Sequence, residues 1–182
     1  MAMGEQEREK HRDAEMYDIS PIDDTGFIAE RERPIGELED VIEFFVAGDP
    51  RPQGSTKSYY IKKLERVVTT HATKETKKWQ LRIAMMAQQE NEKRSQSFYS
   101  GDNSLGYDLH LVFFMPRPKS LPKKKRLNTK RPDLDKLIRT VLDGLTNYII
   151  PDDSQVVSIS ASKLYAIENQ PPGVRIRVVR FH

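Results

Sequence analysis

Five aspartates fall within one short stretch of this chain: Asp133, Asp135, Asp143, Asp152 and Asp153. Carboxylates that converge repel one another. Two unit charges about 4 Å apart at an effective dielectric near 20 repel by roughly 4 kcal/mol. Such a group raises its pKa values or recruits a cation. A hard, oxygen-preferring ion such as Mg²⁺ suits all-carboxylate ligands. Beside a phosphodiester, that ion polarises phosphorus–oxygen bonds, lowers the pKa of a bound water and stabilises the leaving oxygen. The four histidines, His11, His71, His110 and His182, are scattered, and there is no cysteine. A zinc site, a disulfide scaffold and a cysteine nucleophile are therefore not expected. No Gly-rich phosphate loop of Walker type occurs, so neither an NTPase nor a nucleotide cofactor is expected.

Taken singly, each aspartate has an ordinary structural role available. Asp133 can be a helix N-cap, Asp135 a first-turn dipole partner, and Asp143 the surface half of a pair with Arg139. Asp152 and Asp153 can be turn residues. The elements around them argue for reading them together. Pro132 keeps Arg131 extended, so a helix is expected from about Asp133 to Asn147. Leu134, Leu137, Ile138, Val141 and Leu145 form its apolar stripe, and Asp135, Arg139 and Asp143 form a second stripe on its flank. Asp133 lies at the helix mouth, where free N–H groups favour an anion. The chain then turns through Pro151 and presents Asp152 and Asp153 just before a strand expected at Gln155 to Leu164. A helix followed by an adjacent strand can bring the two acidic groups together.

A basic stretch leads directly into that helix. Pro116, Pro118 and Pro122 sit amid Arg117, Lys119, Lys123, Lys124, Lys125, Arg126, Lys130 and Arg131. Prolines remove backbone donors and like charges repel, so an exposed loop is expected. Lys123, Lys124, Lys125, Arg126, Lys130 and Arg131 are candidate DNA contacts; a solvated linker is the alternative. The charge is uneven along the whole chain. Residues 1–40 hold 13 acidic and 5 basic side chains, a net of −8, and residues 41–182 hold 25 basic and 14 acidic, a net of +11. A basic domain attracts polyanions, chiefly nucleic acid.

The remaining elements follow from periodicity. Residues 1–40 are polar and read as a partly disordered acidic leader. The folded domain is expected over 41–182. "VIEFFVAG" is a strand, "SYYIKKLERVVTT" a hairpin, and Thr73 to Glu92 a helix capped by Thr73, with Trp79, Ile83, Met86 and Ala87 on its apolar face. Tyr107 to Met115 is apolar enough to be a strand buried on both faces. Val174, Ile176 and Val178 alternate with Arg175 and Arg177, so the last strand is half-buried. The expected class is α+β: strand, hairpin, helix, strand, helix, strand, strand, a mixed sheet packed by two helices. No apolar run approaches the roughly 20 residues a membrane span needs. No secretory h-region is present. A cytoplasmic, nucleoid-associated protein with no membrane partner is expected.

"RPDLDKLIRTVLDGL" followed by "IIPDDSQVV" resembles the acidic helix and turn of the RusA family of Holliday-junction resolvases. "VAGDPRPQGSTK" is similar to that family's opening Gly-x-Pro loop. The resemblance spans about residues 41–180. It implies that Asp133, Asp135 and Asp153 are metal ligands and catalytic carboxylates, with Asp152 a further candidate ligand and Arg139 the basic member of the site. It also implies Mg²⁺ as cofactor, with Mn²⁺ as a substitute, and a homodimer that nicks branched DNA in recombination and repair. A C2 dimer would supply the two sites that paired cuts need. A related nuclease acting on flaps or forks, and a non-catalytic nucleic-acid-binding protein, are the alternatives. Two positions depart from the family pattern: Arg139 replaces the usual Lys, and Lys136 the usual Asn. Arginine keeps the charge but cannot yield a proton near neutral pH, so Arg139 can bind a phosphate or orient a carboxylate but not act as a general acid.

Overall fold

A computed structural model describes residues 40–54, 57–62, 65–70 and 73–181. The acidic leader lies outside the described residues, except that Asp40 begins the first strand. The elements run β1 (Asp40–Ala47), β2 (Lys57–Ile61), β3 (Arg66–Thr70), α1 (Lys74–Glu92), β4 (Gly106–Met115), α2 (Leu134–Leu145), a 3-10 turn (Asp153–Gln155), β5 (Val156–Tyr165) and β6 (Gly173–Phe181). This is the order expected from the sequence. β2 and β3 pair as a separate two-stranded sheet. The other strands form one sheet in the order β1-β6-β4-β5.

Three features of that sheet position the acidic residues. β4 and β5 are parallel, while the other neighbouring pairs are antiparallel. Parallel neighbours require a crossover, and α2 lies in it. β4 is the buried centre. Tyr107, Leu109, Leu111, Phe113 and Met115 meet Trp79 and Ile83 of α1 and Leu137, Val141 and Leu145 of α2 in one core. The register between β4 and β5 shifts at Tyr107/Asp108, leaving Val157 as an extra residue just beyond the acidic turn.

The helix ends have local causes. The Thr73 side chain accepts the Thr76 N–H at 3.2 Å, as an N-cap should. α2 stops at Leu145, two residues before the expected end. Asn147 adopts φ 68°, and its N–H donates to Ile150 O at 2.8 Å. Asparagine tolerates that left-handed conformation, which a helix cannot continue through. Two glycines allow close approach. A Cβ on Gly144 would lie 2.8 Å from Ile83 Cβ, so its absence lets α1 and α2 touch. Gly48 has φ 139°, and its face is filled by Trp79 and Arg82.

The basic segment is not the wholly exposed loop expected. Its end runs antiparallel along the edge of β5, with Tyr165 N–H donating to Arg126 O at 2.7 Å and Asn128 N–H to Lys163 O at 3.0 Å. Its beginning is held by Arg117. That guanidinium donates to the carbonyls of Ala166, Pro122 and Lys125 at 2.9, 3.1 and 2.9 Å and lies over the Tyr165 ring. Proline and charge composition give no indication of either tether.

Candidate active site

Asp133 occupies the N-cap position of α2, yet its side chain makes no capping hydrogen bond. The carboxylate turns to the Lys136 ammonium instead, at 2.6 Å. That hydrogen bond and the Lys136 charge hold Asp133 below the usual carboxylate range, with Arg131 and Lys163 adding to the effect. An Asp needed only as a cap would be turned inward onto the free N–H groups. Asp135, Arg139 and Asp143 follow at helical spacing and are all exposed, forming the flank stripe that the sequence implies.

Asp143 is perturbed in the opposite direction to Asp133. Although the residue is exposed overall, partial desolvation of its carboxyl raises its pKa, and the Asp153 charge raises it further. Arg139 and the side-chain amides of Gln53 and Gln80 offset part of this. Gln80 Nε2 reaches from α1 to Asp143 Oδ2 at 2.7 Å and to Gln53 Oε1 at 3.0 Å. Gln53 is itself anchored, its N–H donating to Lys136 O at 2.9 Å. The next residue back is held too, since Thr76 Oγ1 donates to Pro52 O at 2.9 Å. The opening loop, α1 and α2 therefore meet at Asp143.

The acidic turn is fixed separately. Asp152 accepts the Ser154 N–H at 2.8 Å and caps the 3-10 turn, which keeps its pKa low. Of the candidate ligands, Asp152 is thus the one engaged as a turn residue. Gln155 Nε2 donates to Asp102 O at 3.0 Å and Leu105 O at 3.1 Å, tying the turn to the start of β4. Asp153 is left exposed, and its field reaches Asp143.

The Asp153 charge is thus felt at Asp143. Asp133 stands at the start of α2 and Asp143 near its end, about 15 Å apart along an axis that rises 1.5 Å per residue. Among the described residues, no three His, Asp or Glu side chains gather tightly enough to hold a metal ion. The donor type fits a hard divalent cation, and the Asp153 contribution to the Asp143 shift, second to desolvation, is repulsion that such a cation relieves.

The candidate DNA-contacting residues Lys123, Lys124, Lys125, Arg126, Lys130 and Arg131 are all exposed. Lys123 pairs with Glu168 at 2.7 Å, but both side chains are over four-fifths exposed, so the pair holds little. Sequence pattern alone assigns no role to Gln53, Gln80, Gln155 or Lys163. Gln155 stands inside the acidic motif and was the most accessible of these.

Comparison with known proteins agrees with this architecture. The family model described as endodeoxyribonuclease RusA matches residues 49–179. The chain belongs to that family, which is one of DNA endonucleases acting on branched DNA. It is also 30% identical to the uncharacterized protein YqaN of Bacillus subtilis (strain 168) over 141 residues, covering 71% of this chain and 91% of that protein. No described helix is long and apolar enough to cross a membrane.

Proposed function

We propose that this protein is a Mg²⁺-dependent endonuclease that resolves four-way DNA junctions in recombination and repair, acting as a homodimer near the nucleoid. The observation that supports this best is the continuity of charge. An exposed cationic segment, tethered to β5, runs without a break into Asp133 at the mouth of α2. Phosphates held on that segment lie beside the acidic flank. Asp133, Asp135 and Asp153 are the residues that would hold the ion, with Asp143 electrostatically coupled to Asp153. Bound there, Mg²⁺ or Mn²⁺ would supply Lewis-acid polarisation and an activated water. Arg139, permanently charged, would bind a phosphate oxygen or steady Asp143.

A second reading has one observation in its favour. The Lys136 ammonium already occupies Asp133. A protein that binds branched DNA without cutting it would show the same pair. Incubation with a fixed four-way junction under Mg²⁺, beside linear duplex, flap and fork controls, separates the readings. Paired symmetric nicks in the junction are expected. Cleavage only of flaps or forks would reassign the substrate, and junction binding without nicks in either metal would favour the binding protein.

A further inference from the structure

Lys163 carries a role that neither the acidic motif nor the basic loop describes. It lies on β5 opposite Phe113 of β4, and it is half-buried. Its Nζ donates to Lys130 O at 2.6 Å and to Pro132 O at 2.5 Å. Those carbonyls flank Arg131, and the second immediately precedes Asp133. The backbone of Lys163 holds the same segment, because its carbonyl accepts the Asn128 N–H at 3.0 Å. Among the described residues, Asn128 is the last in this segment whose backbone joins β5. Beyond it the Lys163 side chain takes over as the tether.

Charge-assisted hydrogen bonds of this kind are about twice as strong as neutral ones. An ammonium has three donors and no acceptor, and two of the three are engaged here by backbone oxygens. A lysine engaged in this way is poorly placed to serve as a mobile phosphate contact. It is well placed to fix the chain that carries Asp133. We infer that Lys163 is a positioning residue: it clamps residues 130–132 to β5 and so sets where the Asp133 carboxylate stands at the start of α2. Its closeness to Asp133 also helps keep that carboxylate ionised. The inference rests on reading Asp133 as an active-site carboxylate, and its test includes measurements that need no cleavage.

The test uses the full chain with Lys163→Met, which keeps the stem and removes the donors, and Lys163→Arg, which keeps donors and charge. Without DNA, exchange at the hydrogen-bonded amides of Asn128, Lys130 and Leu137 should quicken roughly tenfold or more in the Met variant, while α1 stays protected. Mn²⁺ binding, followed by loss of its free-ion EPR signal, should weaken in the Met variant and recover in the Arg variant. The slope of log junction affinity against log salt should stay at the wild-type value in both. A slope flattened by about 0.9 per protomer in the Met variant would make Lys163 a phosphate contact and overturn the inference. So would wild-type exchange at Asn128, Lys130 and Leu137 together with wild-type Mn²⁺ binding. If Lys163→Met unfolds globally, Lys163→Gln, with a shorter donor, takes its place under the same criteria. Faster local exchange in a protein whose wild type does not nick junctions would uphold the clamp and reject the nuclease reading.

Discussion

At Asp133 the position of the residue and the direction of its side chain serve different ends. The backbone is that of an N-cap, but the carboxylate leaves the helix uncapped and faces Lys136. Asp135, one step into the helix, is exposed on the flank beside it. Asp135→Asn keeps the shape, loses the charge and relieves repulsion toward phosphate. It should abolish nicking of a four-way junction under Mg²⁺ while leaving metal-free junction binding equal or tighter. Full nicking by this variant would remove Asp135 from the proposed site. Asp143 offers a test through pH. Its native pKa is raised, first by burial and then by Asp153. Between the unfolded and native values the folded protein holds the extra proton. Stability from this group is therefore complete below the unfolded value and is lost as pH rises through the native one. At neutral pH an ionised Asp143 is a liability to the fold. Asp143→Asn removes the titration and keeps an oxygen to accept from Gln80. Its melting temperature should exceed that of the wild type at pH 8, with the gap closing as pH falls toward the ordinary carboxylate value of 3.8. A pH-independent gap would rule out ionisation as the cause.

Between the residue and the whole, the basic segment behaves as an element in its own right. Arg117 spends its charge on three carbonyls, whereas Lys123, Lys124 and Lys125 are turned to solvent. Two variants should therefore differ in kind. Replacing the three lysines by Ala should weaken binding to every DNA structure and flatten the salt slope by up to about 3 per protomer engaged. It should leave structural preference alone, because phosphate contacts position without selecting. Arg117→Lys keeps the charge but breaks the fork, so affinity should fall with the slope unchanged. Binding isotherms at several salt concentrations check both, and a flattened slope in Arg117→Lys would make Arg117 a phosphate contact. Much of this architecture was legible beforehand. Thr73 announced α1, the apolar stripe from Leu134 to Leu145 announced α2, and alternation at Val174, Ile176 and Val178 announced β6. The flank stripe of Asp135, Arg139 and Asp143 was legible for the same periodic reason. The Gln80 bridge was not, because its partners lie 27 and 63 residues away and glutamine carries no periodic signal. Lys163 was equally hidden, as one lysine within a strand. The coupling of Asp153 to Asp143 was hidden too, because spacing along the chain does not reveal which part of α2 the acidic turn influences.

At the scale of the whole molecule, stability and the proposed chemistry rest on different contacts. A division at residue 40/41 assigns Asp40 to the acidic leader, but the structure gives it to the sheet. Asp40 pairs with Arg94, just beyond α1, and with Arg180 of β6 at 2.9 Å. The two guanidiniums also reach backbone, Arg94 to Val41 O at 3.0 Å and Arg180 to Phe98 O at 2.7 Å, and both lie over the Phe98 ring. One carboxylate thus joins β1, β6 and the chain after α1. Arg180 is only 13% exposed, so solvent screens its charge weakly and loss of the partner leaves a costly group behind. Asp40→Ala should lower stability by about 1–3 kcal/mol, a fall in melting temperature of roughly 2–4 °C per kcal/mol for a chain of this size. None of these residues touches Asp133, Asp143 or the acidic turn in the hydrogen bonds described. The single-turnover nicking rate, measured well below the melting transition, should therefore match the wild type. Thermal unfolding and a junction-nicking time course on the same preparation decide it. Slower nicking with an unchanged melting temperature would mean that the β1–β6 clamp communicates with the flank of α2, and that fold and site are not separable.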